Sequence, residues 1–320
     1  MPRVNANGLQ LEVETFGDPR QPAVLLVMGL GMQLVAWPVE FCQALVEAGY
    51  HVVRFDNRDV GLSSRVAGGS RHSPAVEMAR YLAHLPVRAP YRIEDMAEDA
   101  VGVLDALGLP AAHVVGASLG GMIAQCLAAA HPARCLSLVS IMSTSGARGL
   151  PYATPRVGWV LSRRPRRDAT PQQRLDHVVR VFRTIGSPGF PTPEPLLRER
   201  MGEALQRSSD VDGMQRQLLA VLASGDRSAA LARIRTPTLV LHGEDDPFVR
   251  VEHGRDCACK IPGARLCTVP GMGHDFAPGV VPLLLEETIA HLRRAAAANA
   301  GVVRDGQAPE PRHRDTTPGG

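Results

Sequence analysis

Residues 112–130 sharply limit what this chain can fold into. An apolar run from Ala112 to Val115 leads into Gly116-Ala117-Ser118-Leu119-Gly120, and an alanine-rich stretch from Met122 to Ala130 follows. The run reads as a buried strand and the stretch as a helix, so the pentapeptide is a tight strand-to-helix turn. Glycines at both flanks let strand and helix approach without an intervening side chain. The serine between them sits in strained backbone geometry with its oxygen raised above the sheet. The first N–H groups of the following helix face whatever that oxygen attacks. Taken alone, the pattern fits either a nucleophile turn or an ordinary strand–turn–helix junction, and the rest of the chain has to decide.

Periodicity sets the frame around it. Leu9 to Phe16 alternates as an early, antiparallel strand, and Ala23 to Val27 is apolar throughout, as for a strand buried on both faces. Val35 to Ala48 has helical spacing, His51 to Phe55 is a strand, and Ile93 to Leu107 is helical and stops at Gly108. After the serine turn and its helix comes the strand Leu136 to Met142. Such alternation predicts a mostly parallel sheet covered by helices. Residues 65–90 form a long excursion. From Ser145 to about Arg233 the alternation stops, and helices are expected around Gln172 to Ile185, Pro195 to Gln206 and Met214 to Ser224. The organisation expected is a core over 1–144, a helical cap insertion over 145–233, the rest of the core over 234–297, and a Pro-, Arg-, Gly- and Thr-rich disordered tail over 298–320.

A nucleophilic serine needs a base, and the base needs an acid to orient it. Both have candidates downstream, each in a loop after a strand-like run. The acid candidate is Asp246, in Thr238-Leu-Val-Leu-His-Gly-Glu-Asp-Asp-Pro247, with Glu244 and Asp245 as neighbours in the same turn. The base candidate is His274, in Val269-Pro-Gly-Met-Gly-His274, where a histidine between loop glycines has little packing role. His51, His113, His131 and His242 lie on or beside apolar runs and read as structural. In an open parallel sheet, the loops after the strands are where sites form.

These motifs, with Phe55-Asp-Asn-Arg-Asp-Val-Gly-Leu-Ser-Ser64 and Leu25-Leu-Val-Met-Gly-Leu-Gly31, resemble those of α/β-hydrolase-fold serine esterases over residues 5–297. Within that family the Met-Gly-Leu-Gly loop and the Trp37-Pro38 pair are similar to bacterial esterases that include polyketide methyl esterases of the aclacinomycin type. The resemblance implies Ser118 as nucleophile, His274 as base, Asp246 as its orienting acid, and the backbone N–H groups of Leu30 and Leu119 as oxyanion donors. It implies hydrolysis of a small-molecule carboxylic ester, with no metal or organic cofactor. The sequence departs from the family at Met28, where many relatives carry a histidine, so the oxyanion loop must be held another way. Carbon–carbon bond hydrolysis and cofactor-free perhydrolysis use the same three residues and stay open. So does a ligand-binding protein of low turnover.

Composition excludes other classes. Net charge is +3 with acids and bases mixed, which gives no nucleic-acid groove or polybasic membrane patch. No run reaches the roughly 18 apolar residues of a membrane helix, and the N-terminus has no apolar signal core. The expectation is a cytoplasmic, soluble chain with no membrane insertion. Cys42, Cys126, Cys135, Cys257, Cys259 and Cys267 match no zinc or redox spacing and read as small thiols, mostly buried. The run Arg163-Arg164-Pro165-Arg166-Arg167 fits a solvated basic loop or a contact with an acidic substrate or partner.

Overall fold

The computed structural model describes residues 3–66, 73–163, 165–166, 168–208 and 210–305. Its strands are β1 (Arg3–Ala6), β2 (Leu9–Phe16), β3 (Ala23–Val27), β4 (His51–Phe55), β5 (Ala112–Ala117), β6 (Cys135–Ile141), β7 (Thr238–Gly243) and β8 (Arg265–Val269). They lie in the order β1-β2-β4-β3-β5-β6-β7-β8. The pairs β1/β2 and β2/β4 are antiparallel and every later pair is parallel.

The buried parallel strands alternate their side chains between two cores. Leu25, Val27, Val114, Leu138 and Val240 face one side. There they meet α3 (Ile93–Ala106) and α4 (Leu119–Ala130), through Ile93, Met96, Leu104, Ile123 and Leu127. Val24, Leu26, Val115, Val139 and Leu241 face the other side, against Phe41 and Leu45 of α1 (Val39–Glu47) and Leu284 and Leu292 of α11 (Val281–Asp305). Burial on both faces is why these strands read as continuous apolar runs rather than alternating ones.

Between β6 and β7 the described chain is helical: α5 (Pro155–Ser162), α6 (Pro171–Ile185), α7 (Glu194–Arg207), α8 (Val211–Ser224) and α9 (Ser228–Leu231). The remaining helices are α2 (Pro74–Leu82) and α10 (Val251–Lys260). Three details differ from the sequence expectation. The helical spacing over 35–48 resolves into a single 3₁₀ turn, Leu34–Ala36, followed by α1, because Pro38 holds Trp37 in extended backbone (φ −72°, ψ 115°) and starts the new helix. The excursion over 65–90 contains α2, with Pro74 in its first turn. Helix α11 runs through Asp305, so residues 298–305 are helical, and 306–320 lie outside the described residues.

All six cysteines are free thiols. Four are buried, Cys267 is partly covered and Cys259 is exposed. Of the arginine run, Arg164 and Arg167 lie outside the described residues. Arg163 stacks over the Trp159 ring at 4.1 Å, and Arg166 pairs with Asp168 at the surface, 3.1 Å away. Among the described residues no helix is long and apolar enough to cross a membrane.

The strand order reverses at β3. The chain leaves it for β4 on one side and returns to β5 on the other, with Val27 in register with Gly116. The loops leaving β3 and β5 therefore emerge side by side, at the topological switch point where open α/β sheets form sites.

Candidate active site

The serine turn has the geometry its glycines predict. Ser118 sits at φ 55°, ψ −118°, a left-handed conformation that costs a non-glycine residue about 1–3 kcal/mol. It persists because its surroundings fix it: Ser118 N–H donates to Ile141 O (2.9 Å), and Ser143 Oγ donates to Ser118 O (2.8 Å). A Cβ on Gly116 would stand 2.2 Å from Gly120 O, and one on Gly120 would stand 2.0 Å from Val27 O. Only glycine lets α4 start this close to β3 and β5.

Two loops deliver the partners. Asp246 follows β7 and is buried; its Oδ1 accepts from Phe248 N–H and Val249 N–H, both at 2.9 Å. Those bonds turn its other oxygen, Oδ2, to His274 Nδ1, 2.6 Å away. A carboxylate only accepts, so Nδ1 carries the proton, and Nε2 of the neutral ring accepts from Ser118 Oγ–H at 3.0 Å. Phe248 packs edge-on against the imidazole, 5.1 Å between centroids. The neighbouring acids are engaged elsewhere: Glu244 accepts from Thr268 Oγ1 and Asp245 from Gly271 N–H. His242 stands behind Asp246, donating from Nε2 to Val249 O at 2.7 Å, and burial pushes its pKa down.

The insertion grips the histidine loop. His274 N–H donates to Ile185 O (2.7 Å), Gly189 N–H to Gly271 O (2.9 Å), and Gly273 N–H to Ser187 Oγ (2.9 Å). Ser187 in turn donates through Oγ (2.5 Å) and N–H (3.1 Å) to Asp275, a carboxyl whose pKa burial pushes up.

The loop after β3 lies against the serine: a Cβ on Gly29 would stand 3.2 Å from Ser118 Cβ. The N–H groups of Leu30 and Leu119 donate to no protein acceptor among the described residues. Leu119 opens α4, where the helix leaves its first N–H groups free for a developing negative charge.

The stretch 56–59 after β4 was read from sequence only as a family likeness, and it proves to be the hub of this end of the molecule. Asp56 accepts from Leu34 N–H, Leu62 N–H and Arg207 of α7. Asn57 Nδ2 donates to Met28 O at 2.8 Å. Arg58 pairs with Asp99 of α3 through two bonds of 2.5 and 2.6 Å. Asp59 takes a two-bond grip from Arg216 of α8 (2.9 and 2.8 Å) and accepts from Tyr91 Oη at 2.6 Å. Four consecutive polar residues directly after a buried strand were the available signal, since such groups are buried only where each finds a partner. Gln217 of α8, which accepts from Gly31 N–H at 2.9 Å, carried no comparable signal.

With the ends of β5, β8 and β7 presenting a serine, a histidine and an aspartate in one hydrogen-bonded line over a doubly covered parallel sheet, the fold can be compared with known ones. The chain belongs to the alpha/beta hydrolase fold family, whose model matches residues 22–277. It is 30% identical over 299 residues to rhodomycin D methylesterase DnrP of Streptomyces peucetius, covering 88% of this chain and 94% of that one. It is 32% identical over 276 residues to a poly(3-hydroxyalkanoate) depolymerase of Ectopseudomonas oleovorans, covering 84% and 85%. An esterase from Exiguobacterium antarcticum superposes with a TM-score of 0.71 at 21% identity, over 91% of this chain and 99% of that one, a likeness of fold.

Proposed function

We propose that this chain is a serine hydrolase that cleaves a small-molecule carboxylic ester through an acyl-serine intermediate. The observation that carries the reading is the line Ser118–His274–Asp246, with its bonds of 3.0 and 2.6 Å. Ser118 Oγ attacks the ester carbonyl carbon as His274 Nε2 takes its proton. Asp246 holds the ring in the tautomer that can do this and stabilises the imidazolium formed. The carbonyl oxygen becomes an oxyanion facing Leu30 N–H and Leu119 N–H, each donor lowering the barrier by about 3–4 kcal/mol. His274 then hands its proton to the departing alkoxide, activates a water, and the acyl-serine is hydrolysed. Helices α5–α9 act as the cap over these loops. The likeness to rhodomycin D methylesterase favours a methyl ester of a polycyclic aromatic acid, released as methanol and the free acid. The free thiols favour a cytoplasmic place of work.

The test is pre-steady-state hydrolysis of short-chain p-nitrophenyl esters, with methanol release from methyl esters followed in parallel. A burst equal to the enzyme concentration is expected, and Ser118→Ala should lower turnover by on the order of a millionfold. Turnover unchanged in Ser118→Ala would sink the reading.

A further inference from the structure

Met28 leaves the oxyanion loop without the side chain that a histidine at this position would supply, yet the loop is not loose. Three successive peptide groups around Leu30 are each tied down. The carbonyl of the Met28–Gly29 peptide accepts from Asn57 Nδ2 (2.8 Å). The carbonyl of the Gly29–Leu30 peptide accepts from Met32 N–H (3.1 Å). The N–H of the Leu30–Gly31 peptide donates to Gln217 Oε1 (2.9 Å). The middle peptide carries the Leu30 N–H, and a planar trans peptide points its N–H opposite its carbonyl. Its direction is thus set by its own carbonyl bond and by the pinned planes before and after it.

Gln217 is the unusual member, because it comes from the insertion rather than the core. It is fully buried, and its other end, Nε2, donates to Arg58 O at 2.8 Å. One end faces an N–H and the other a carbonyl, so only one orientation of the amide satisfies both. The helix that carries it is seated closely: a Cβ on Gly213 would stand 1.9 Å from Asp59 O, and a Cβ on Gly31 would stand 2.8 Å from the Met214 side chain. Arg216, the preceding residue, grips Asp59. The Gln217 amide is therefore a fixed brace between the 56–59 stretch and the loop after β3.

We propose that Gln217, with Asn57 as its counterpart in the core, is the positioning residue that aims the Leu30 oxyanion donor. The inference rests on the ester-hydrolase reading above. It makes the α8 helix part of the transition-state machinery without touching substrate. Misplacement of a catalytic group by about 1 Å can cost on the order of a hundredfold in rate, which sets the size of the effect to look for.

The experiment compares wild type, Gln217→Met, Asn57→Leu and Ser118→Ala on one p-nitrophenyl ester. Turnover is normalised to active sites titrated by the burst, and binding of an alkylboronic acid, a tetrahedral transition-state mimic, is measured alongside. Gln217→Met keeps the length and removes both hydrogen bonds. The expected result is a kcat per titrated site about 10–100-fold lower, a KM changed less than about threefold, and boronate affinity weakened in step with kcat. Loss of folded protein alone would lower the titrated fraction and leave kcat per site intact. If Gln217→Met does not fold, Asn57→Leu removes the other pin and must show the same split. Unchanged kcat per site and boronate affinity, with Ser118→Ala inactive, would overturn this inference and leave the hydrolase reading standing. Full activity in Ser118→Ala would overturn both.

Discussion

Ser118 shows how one residue is held against its own backbone preference. At φ 55° its Cβ is strained, and the turn is held by the fit of Gly116 and Gly120 against backbone atoms about 2 Å from where a Cβ would stand. The strain belongs to the Cβ and not to the oxygen, so two variants that both lack Oγ separate the effects. Ser118→Gly should be more stable than Ser118→Ala by about 1–2 kcal/mol, because glycine relieves the left-handed strain and both lack Oγ. Urea denaturation of the pair measures this, and equal stability would mean that the turn stores no strain. At this scale the sequence was informative. Ser118, Asp246 and His274 each sit in a short motif after a strand; local context singled out Ser118 and His274, the family likeness chose Asp246 over Glu244 and Asp245, and the three lie in one hydrogen-bonded line. Asn57 was quoted only as part of a motif, and Gln217 was invisible: its partner Gly31 is 186 residues away, and nothing in the local pattern of α8 marks one buried glutamine among its polar neighbours.

The secondary-structure elements were legible in proportion to their burial. Strands covered on both faces, such as β3 and β5, announce themselves as apolar runs, and α6, α7 and α8 follow from helical spacing. Strand β1 does not, because only Ala6 of its four residues is buried and its pairing with β2 supplies what propensity lacks. Helix α2 was hidden in a stretch rich in loop-forming residues. How α8 meets the core was equally unreadable, since it depends on the ion pair of Arg216 with Asp59, both buried and 157 residues apart. Removing one partner strands the other charge. Arg216→Met should cost about 3–5 kcal/mol, with faster amide exchange in α8 than in α3. Asp59→Asn combined with Arg216→Met should lose less than Arg216→Met alone. A loss under about 0.5 kcal/mol in the single variant would show that the pair does not anchor the helix.

For the molecule as a whole, buried histidines set the acid limit. His113, bonded to Ser137 Oγ and set edge-on against Tyr50, and His291 of α11 are both pushed down to about 4 by burial. An unfolded histidine titrates near 6.5. Between about pH 4 and 6.5 the unfolded chain therefore binds more protons than the folded one, and stability falls as pH falls through that window. The slope is at most about 1.4 kcal/mol per pH unit for each ring. Above pH 6.5 both rings are neutral in either state and the dependence vanishes. Urea midpoints at pH 7.0, 5.5 and 4.5 should decline in that order, and His291→Gln should flatten the decline. The buried thiols of Cys42, Cys126, Cys135 and Cys257, raised to about 11–12 by the same loss of water, stay protonated throughout and contribute nothing to this slope.

The bonds from α6, its following loop and α8 to the loops that carry His274 and Leu30 have a consequence for anyone recombining these enzymes. Transplanting the 145–233 segment from a relative to change what the pocket accepts would also import a foreign set of struts. A chimera joined at its two ends would gain the foreign helices but lose the bonds that hold the loops of His274 and Leu30. The graft that keeps its rate must carry residues 56–59 and the Ile185–Ser187 contacts across with it, because the unit of exchange is the segment together with the loops it touches.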